Sequence, residues 1–185
     1  MKKLTILAAL LGIIAMASVA GAQEVGVTFD EGGTVTMLDA RDGIPLGPTS
    51  YLPVYVVGYN MPEVFGYEFN LADDGGAFFN AKVLYGPAPQ DFGSQWETRA
   101  GTGGCVGDPA LMGGSPDSWT LTEYRLWYFA PPMVDITICV DRAPNSEFAV
   151  PVFTLCDDNA TIVDFTPANV DLNGITPVGC AAIVA

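Results

Sequence analysis

The sequence predicts an all-β chain: a single antiparallel two-sheet sandwich, jelly-roll or immunoglobulin-like, of nine or ten strands after a cleaved export signal. Three observations predict it. Apolar and polar residues alternate with period two along most of the chain after residue 22. Turn residues recur every eight to twelve positions or so, the spacing of a sandwich or barrel. No window after the signal carries an apolar 3.6-residue period with caps, so helix is expected to be nearly absent there.

Residues 1–22 read as the signal peptide. Lys2 and Lys3 form a positive start, Leu4 to Ala17 an apolar run, and Ala20-Gly21-Ala22 the small residues that precede cleavage before Gln23. The apolar run falls short of the roughly 20 residues a spanning helix needs, so membrane insertion is not expected. The first cysteine is Cys105, far from any lipid-attachment position. A secreted location follows, extracellular or periplasmic.

Removal of 22 residues from 185 leaves 163, residues 23–185, a length suited to one domain. Strands are expected at Val25–Phe29, Thr34–Leu38, Tyr51–Val57, Phe65–Leu71, Ala81–Tyr85, Trp119–Phe129, Val134–Val140, Ala149–Leu155, Thr161–Phe165 and Val178–Val184. In the fourth, Phe65, Tyr67, Phe69 and Leu71 alternate with Gly66, Glu68 and Asn70, which sets one face on a core. Pro53 and Pro151 lack a ladder donor and predict edge strands or bulges. The glycine-rich stretch near 86–118 reads as a long surface loop, with Trp96, Cys105 and Met112 marking it as a contact surface. Gly101-Thr102-Gly103-Gly104 is no phosphate loop, because no lysine follows it.

Without the signal the formal charge is 5 minus 21, or −16, against −14 for the whole sequence. Such a chain repels nucleic acid and anionic membrane surfaces. Four cysteines in an exported chain predict two disulfides, and of three connectivities the pairs Cys105 with Cys139 and Cys156 with Cys180 are expected on sequence proximity. Zinc is not expected, since the chain has no CxxC pair and no histidine.

The segments Tyr51-Leu-Pro-Val-Tyr-Val-Val, Glu63-Val-Phe-Gly-Tyr-Glu-Phe-Asn-Leu71 and Lys82-Val-Leu-Tyr-Gly86 resemble the opening strands of cohesin-like and carbohydrate-binding-module-like secreted bacterial sandwiches. The pattern covers about 35 residues, and Ala72-Asp73-Asp74-Gly75 stands where such modules carry a Tyr-Asp-Pro turn. The resemblance implies non-catalytic attachment to a protein partner, of the dockerin kind, through a sheet face.

Other function classes are weighed on particular residues. Trp96, Trp119, Tyr124, Trp127 and Tyr128 are candidate platforms for a polysaccharide, and equally candidates for the core. Homo-assembly into an extracellular filament is a further expectation for a single exported domain. Glu97 and Glu123 represent the carboxylate pairs a glycoside hydrolase would need, but 21 acids produce such pairs by chance. The absence of histidine removes the commonest general base, so an enzyme is not expected. No cofactor is expected except calcium, for which Asp73 and Asp74, Asp157 and Asp158, and Asp171 with Asn173 place oxygen donors in turns. The same residue types also simply build turns. Asn159-Ala160-Thr161 matches a glycosylation sequon.

Overall fold

A computed structural model describes residues 23–47, 49–108, 112, 118–157, 159–167 and 179–185. The expected export signal at 1–22 lies outside the described residues. The strands are β1 (Glu24–Thr28), β2 (Met37–Asp39), β3 (Leu52–Tyr59), β4 (Val64–Asp73), β5 (Phe78–Leu84), β6 (Gln90–Asp91), β7 (Glu97–Val106), β8 (Ser118–Trp127), β9 (Ile136–Asp141), β10 (Val152–Leu155), β11 (Ile162–Asp164), β12 (Thr166–Pro167) and β13 (Cys180–Val184). One 3-10 turn, Ala40–Asp42, follows β2. Among the described residues no helix is long and apolar enough to cross a membrane.

The strands form two mixed sheets. The first has the order β12-β1-β3-β8-β5, and the second β11-β10-β4-β9-β13-β2 with β7 and β6 added beside β4. Purely antiparallel sheets were expected, but β1 with β12 and β13 with β2 run parallel. These are short pairs of two and three residues, with β12 and β2 at the sheet margins.

β4 organises the second sheet. Its residues from Val64 to Asn70 pair with β7, while Glu68 to Val64 also pair with β10 and Asn70 to Asp73 with β9. Because a strand has only two edges, β10 and β9 share one edge in series and β7 takes the other. Inward side chains of both sheets, among them Val54, Phe69, Leu71, Leu121, Tyr124, Phe153 and Ile183, form one apolar cluster. Two sheets around one core bury enough apolar surface to offset chain entropy.

Three further expectations about this architecture are corrected, the first being strand number: thirteen strands stand among the described residues where nine or ten were expected. The stretch expected as a surface loop contains β7, which runs through its centre for ten residues. Gly66 of β4 pairs with Gly101 of β7, and a Cβ on Gly66 would stand 2.6 Å from the Ala100 carbonyl oxygen. The disulfides also differ from the expected pairs, being Cys105–Cys156 and Cys139–Cys180. Cys139 and Cys180 are register partners on adjacent antiparallel strands, so chain topology and not sequence proximity sets the pairing. Two disulfides are compatible with an oxidising compartment outside the cytoplasm.

The two proline-bearing runs are not edge strands, since β3 lies between β1 and β8 and β10 between β11 and β4, but each pairs with a neighbour across a bulge. Pairing of β1 with β3 stops at Tyr55, so Pro53 lies on a stretch without a β1 neighbour. Pro151 precedes β10, and its carbonyl accepts from the Phe165 amide at 2.9 Å.

Candidate functional site

Of the five aromatic residues read as candidate platforms, three are core residues. Trp119, Tyr124 and Tyr128 are 3%, 0% and 5% exposed and leave no ring face for a ligand. A bulge explains how residues of opposite parity both point inward: Val56 pairs with Thr122 and Val57 with Thr120, so Leu121 is skipped. The Leu121 carbonyl accepts instead from the Tyr67 hydroxyl at 2.6 Å and the Tyr85 amide at 3.1 Å. Trp127 is half-buried, and its indole N–H is enclosed without a hydrogen-bond partner among the described residues.

Trp96 is the candidate that lines a cavity. It lies between β6 and β7 in a cleft of about 520 Å³ that also takes in Asn70, Asp73, Ser94 and Pro144. Its carbonyl accepts from the Leu71 amide at 3.0 Å and the Tyr124 hydroxyl at 2.9 Å. Its ring meets Phe79 edge-on at 5.8 Å, and Phe79 meets Tyr124 in the same manner at 6.4 Å. Burial pushes the Tyr124 hydroxyl well above the usual phenol range, so it remains a donor at neutral pH.

The floor of the cleft is held from the other sheet. Lys82 of β5 donates to the carbonyls of Ser94 at 2.7 Å and Glu97 at 2.6 Å, and pairs with the Asp91 carboxylate. Asp73 accepts from the amides of Gly75 at 3.2 Å and Ala77 at 2.7 Å, and from the Tyr128 hydroxyl at 3.3 Å. A fixed aromatic ring beside an amide, a carboxylate and a hydroxyl is able to stack on and hydrogen-bond a polar ring.

The turn acids read as calcium ligands serve the backbone. Asp74 accepts from the Thr137 amide at 2.7 Å, while Asp157 accepts from the Thr161 amide at 2.7 Å and from its hydroxyl. Among the described residues no group of three or more His, Cys, Asp or Glu is placed to hold a metal ion. Asp158, Asp171 and Asn173 lie outside the described residues. A matching turn forms at Asp30, which accepts from Thr34 N at 2.8 Å, Thr34 Oγ1 at 2.9 Å and Val35 N at 2.5 Å. The Asp-x-x-x-Thr spacing shared by these turns was readable in the sequence and went unused.

Glu97 and Glu123 lie in different sheets, each held by the arginine two residues on. Arg99 Nε donates to Glu97 at 3.0 Å and Arg125 Nε to Glu123 at 2.7 Å. Arg125 also stands over the Tyr51 ring, 4.8 Å from its centroid, on the outer side of the first sheet.

An apolar groove not legible from the alternation lies on the second sheet. A second bulge, between Val64 and Gly66, turns Phe65 out of the core, and it borders a groove of about 350 Å³ on the outer face of the second sheet. Phe92 and Ile162 flank the groove at 74% and 48% exposure, and Phe148 completes it. The glycine pair Gly66 and Gly101 supplies a floor without side chains, and Glu68, Arg99 and Glu147 bring charge to the lining. Arg99 lies 3.6 Å from Glu68, whose other carboxylate oxygen is enclosed without a hydrogen-bond partner among the described residues.

Comparison of the chain with protein-family models, with curated proteins and with solved structures gives no match.

Proposed function

We propose that this chain is an exported, non-catalytic attachment module with an immunoglobulin-like or jelly-roll sandwich, which holds a protein partner against the outer face of its second sheet. The observation that carries this reading is the phenylalanine-lined groove. Large apolar side chains in contiguous exposure, rimmed by charge, mark an interaction surface more often than ordinary protein exterior. The test is capture: processed protein, immobilised, is exposed to the exported proteins of the producing cell. One partner retained in stoichiometric amount and lost with Phe92→Ala is the expected result. Failure to retain any protein overturns the reading.

A polysaccharide ligand is favoured by a separate observation, the Trp96 cleft with Asn70, Asp73 and Ser94 around the ring. Affinity electrophoresis against a panel of neutral glycans tests it. Retardation that disappears in Trp96→Ala supports this second reading, and mobility unchanged across the panel removes it. Self-assembly is opposed by like charge, since each copy carries −14.

A further inference from the structure

We infer that the groove on the second sheet receives one apolar anchor side chain from a basic polypeptide segment, and that Gly101 is kept side-chain-free to leave room for it. The inference rests on the attachment reading and adds the partner's chemistry and the residue that opens its seat.

Gly101 is the informative position. Glycine in the interior of a strand weakens it and usually marks a bend or a close approach of backbone. Gly66 opposite satisfies that rule, because a Cβ there would collide with the Ala100 carbonyl oxygen. Gly101 does not. Its backbone lies outside the left-handed region, and a Cβ built on it meets nothing within 4 Å. Folding therefore tolerates a side chain at 101. The space it would fill is the groove itself.

The size and charge of the groove choose the occupant. A volume of about 350 Å³ lies at the small end of the roughly 300–1,000 Å³ of ligand sites, room for one aromatic or branched side chain and not for a folded surface. Its charged lining is Glu68, Glu147 and Arg99, and Arg99 is already engaged by Glu97 and Glu68. The chain as a whole carries −14. An anchor flanked by lysine or arginine is thus attracted both by the rim and by the molecule's field, whereas a second copy of this chain would be repelled.

Selection of a displayed random-peptide library against the processed protein tests the inference. Enriched sequences are expected to pair an aromatic or branched aliphatic residue with flanking lysine or arginine. Their binding should weaken with added salt and fall by about tenfold or more in Gly101→Val, with the thermal midpoint of that variant no lower than that of the parent. Phe92→Ala, at a position 74% exposed, should cause the same loss. Enrichment of acidic or uncharged sequences, no enrichment, or full binding by both variants would overturn the inference. If a natural partner is captured but both variants retain it, the groove is wrong while attachment stands. If no exported protein is captured at all, the attachment reading has failed.

Discussion

Tyr124 is the residue on which the two sheets and the Trp96 cleft depend together. Its hydroxyl lies 2.6 Å from Thr98 Oγ1 and 2.9 Å from the Trp96 carbonyl, so a single buried oxygen joins β8, β7 and the cleft wall. Tyr124→Phe keeps the ring and strands a buried threonine hydroxyl, at a cost of about 1–3 kcal/mol. Urea unfolding should show that loss, and quenching of Trp96 fluorescence by iodide should rise as its loop loosens. The paired glycines make a sharper comparison. Gly66→Ala drives a Cβ against the Ala100 carbonyl oxygen and should destabilise by about 1–3 kcal/mol. Gly101→Ala, one strand across, meets open space and should instead stabilise by about 0.5–1 kcal/mol. Equal thermal midpoints for the two variants would contradict the assignment of one glycine to packing and the other to the groove.

At the scale of elements, what could be read from sequence is the set of strands with clean alternation. β4 and β9 were legible because Tyr67, Phe69 and Leu71, or Ile136 and Ile138, recur on one face. β7 was not, because Gly101, Gly103 and Gly104 carry no side chain and erase the alternation that identifies a strand. Bulges defeated the aromatic assignments in the same way: they reverse parity within one strand, so Trp119 and Tyr124 both face inward and Phe65 faces out. Of the five platform candidates, Trp119, Tyr124 and Tyr128 are buried in the core, whereas Trp96 lines a cavity. The disulfides illustrate the limit set by topology. Cys139–Cys180 closes 41 residues and clamps β9 to β13, while Cys105–Cys156 closes 51 and ties the end of β7 to the residue after β10. Chain entropy alone makes a bridge of either span worth about 4 kcal/mol. Cys139→Ser with Cys180→Ser should lower the urea midpoint accordingly and raise hydrogen exchange in β13 first, because among the described residues that strand keeps only β9 and the three-residue β2 as ladder partners.

For the whole molecule, acidity decides how stability varies with pH. At neutral pH the net charge of −14 repels itself, so mild acidification or added salt should stabilise the fold. The opposing effect comes from turn acids held in their ionised form. Burial alone would raise the Asp30 carboxyl, but its hydrogen bonds from Val35 and Thr34 outweigh this and hold it below the usual range. The Thr161 hydroxyl and amide hold Asp157 low in the same manner. A carboxylate whose folded pKa lies below its unfolded one contributes stability above the unfolded value, about 3.9, and loses it as pH falls through the folded one. Stability should therefore peak in the mildly acid range and collapse below about pH 4. At the alkaline end, burial raises the hydroxyls of Tyr67, Tyr124 and Tyr128 above their unfolded value, so the stability they contribute is lost as pH climbs past about 10. Urea midpoints measured from pH 3 to 11 test the whole profile, and Asp30→Asn isolates its acid limb. That variant should be less stable than the parent at pH 7 and converge with it only as pH falls below the lowered folded-state pKa of Asp30, where the parent's carboxylate is protonated too. A constant difference across the entire acid range would mean that Asp30 acts through shape and not through its charge.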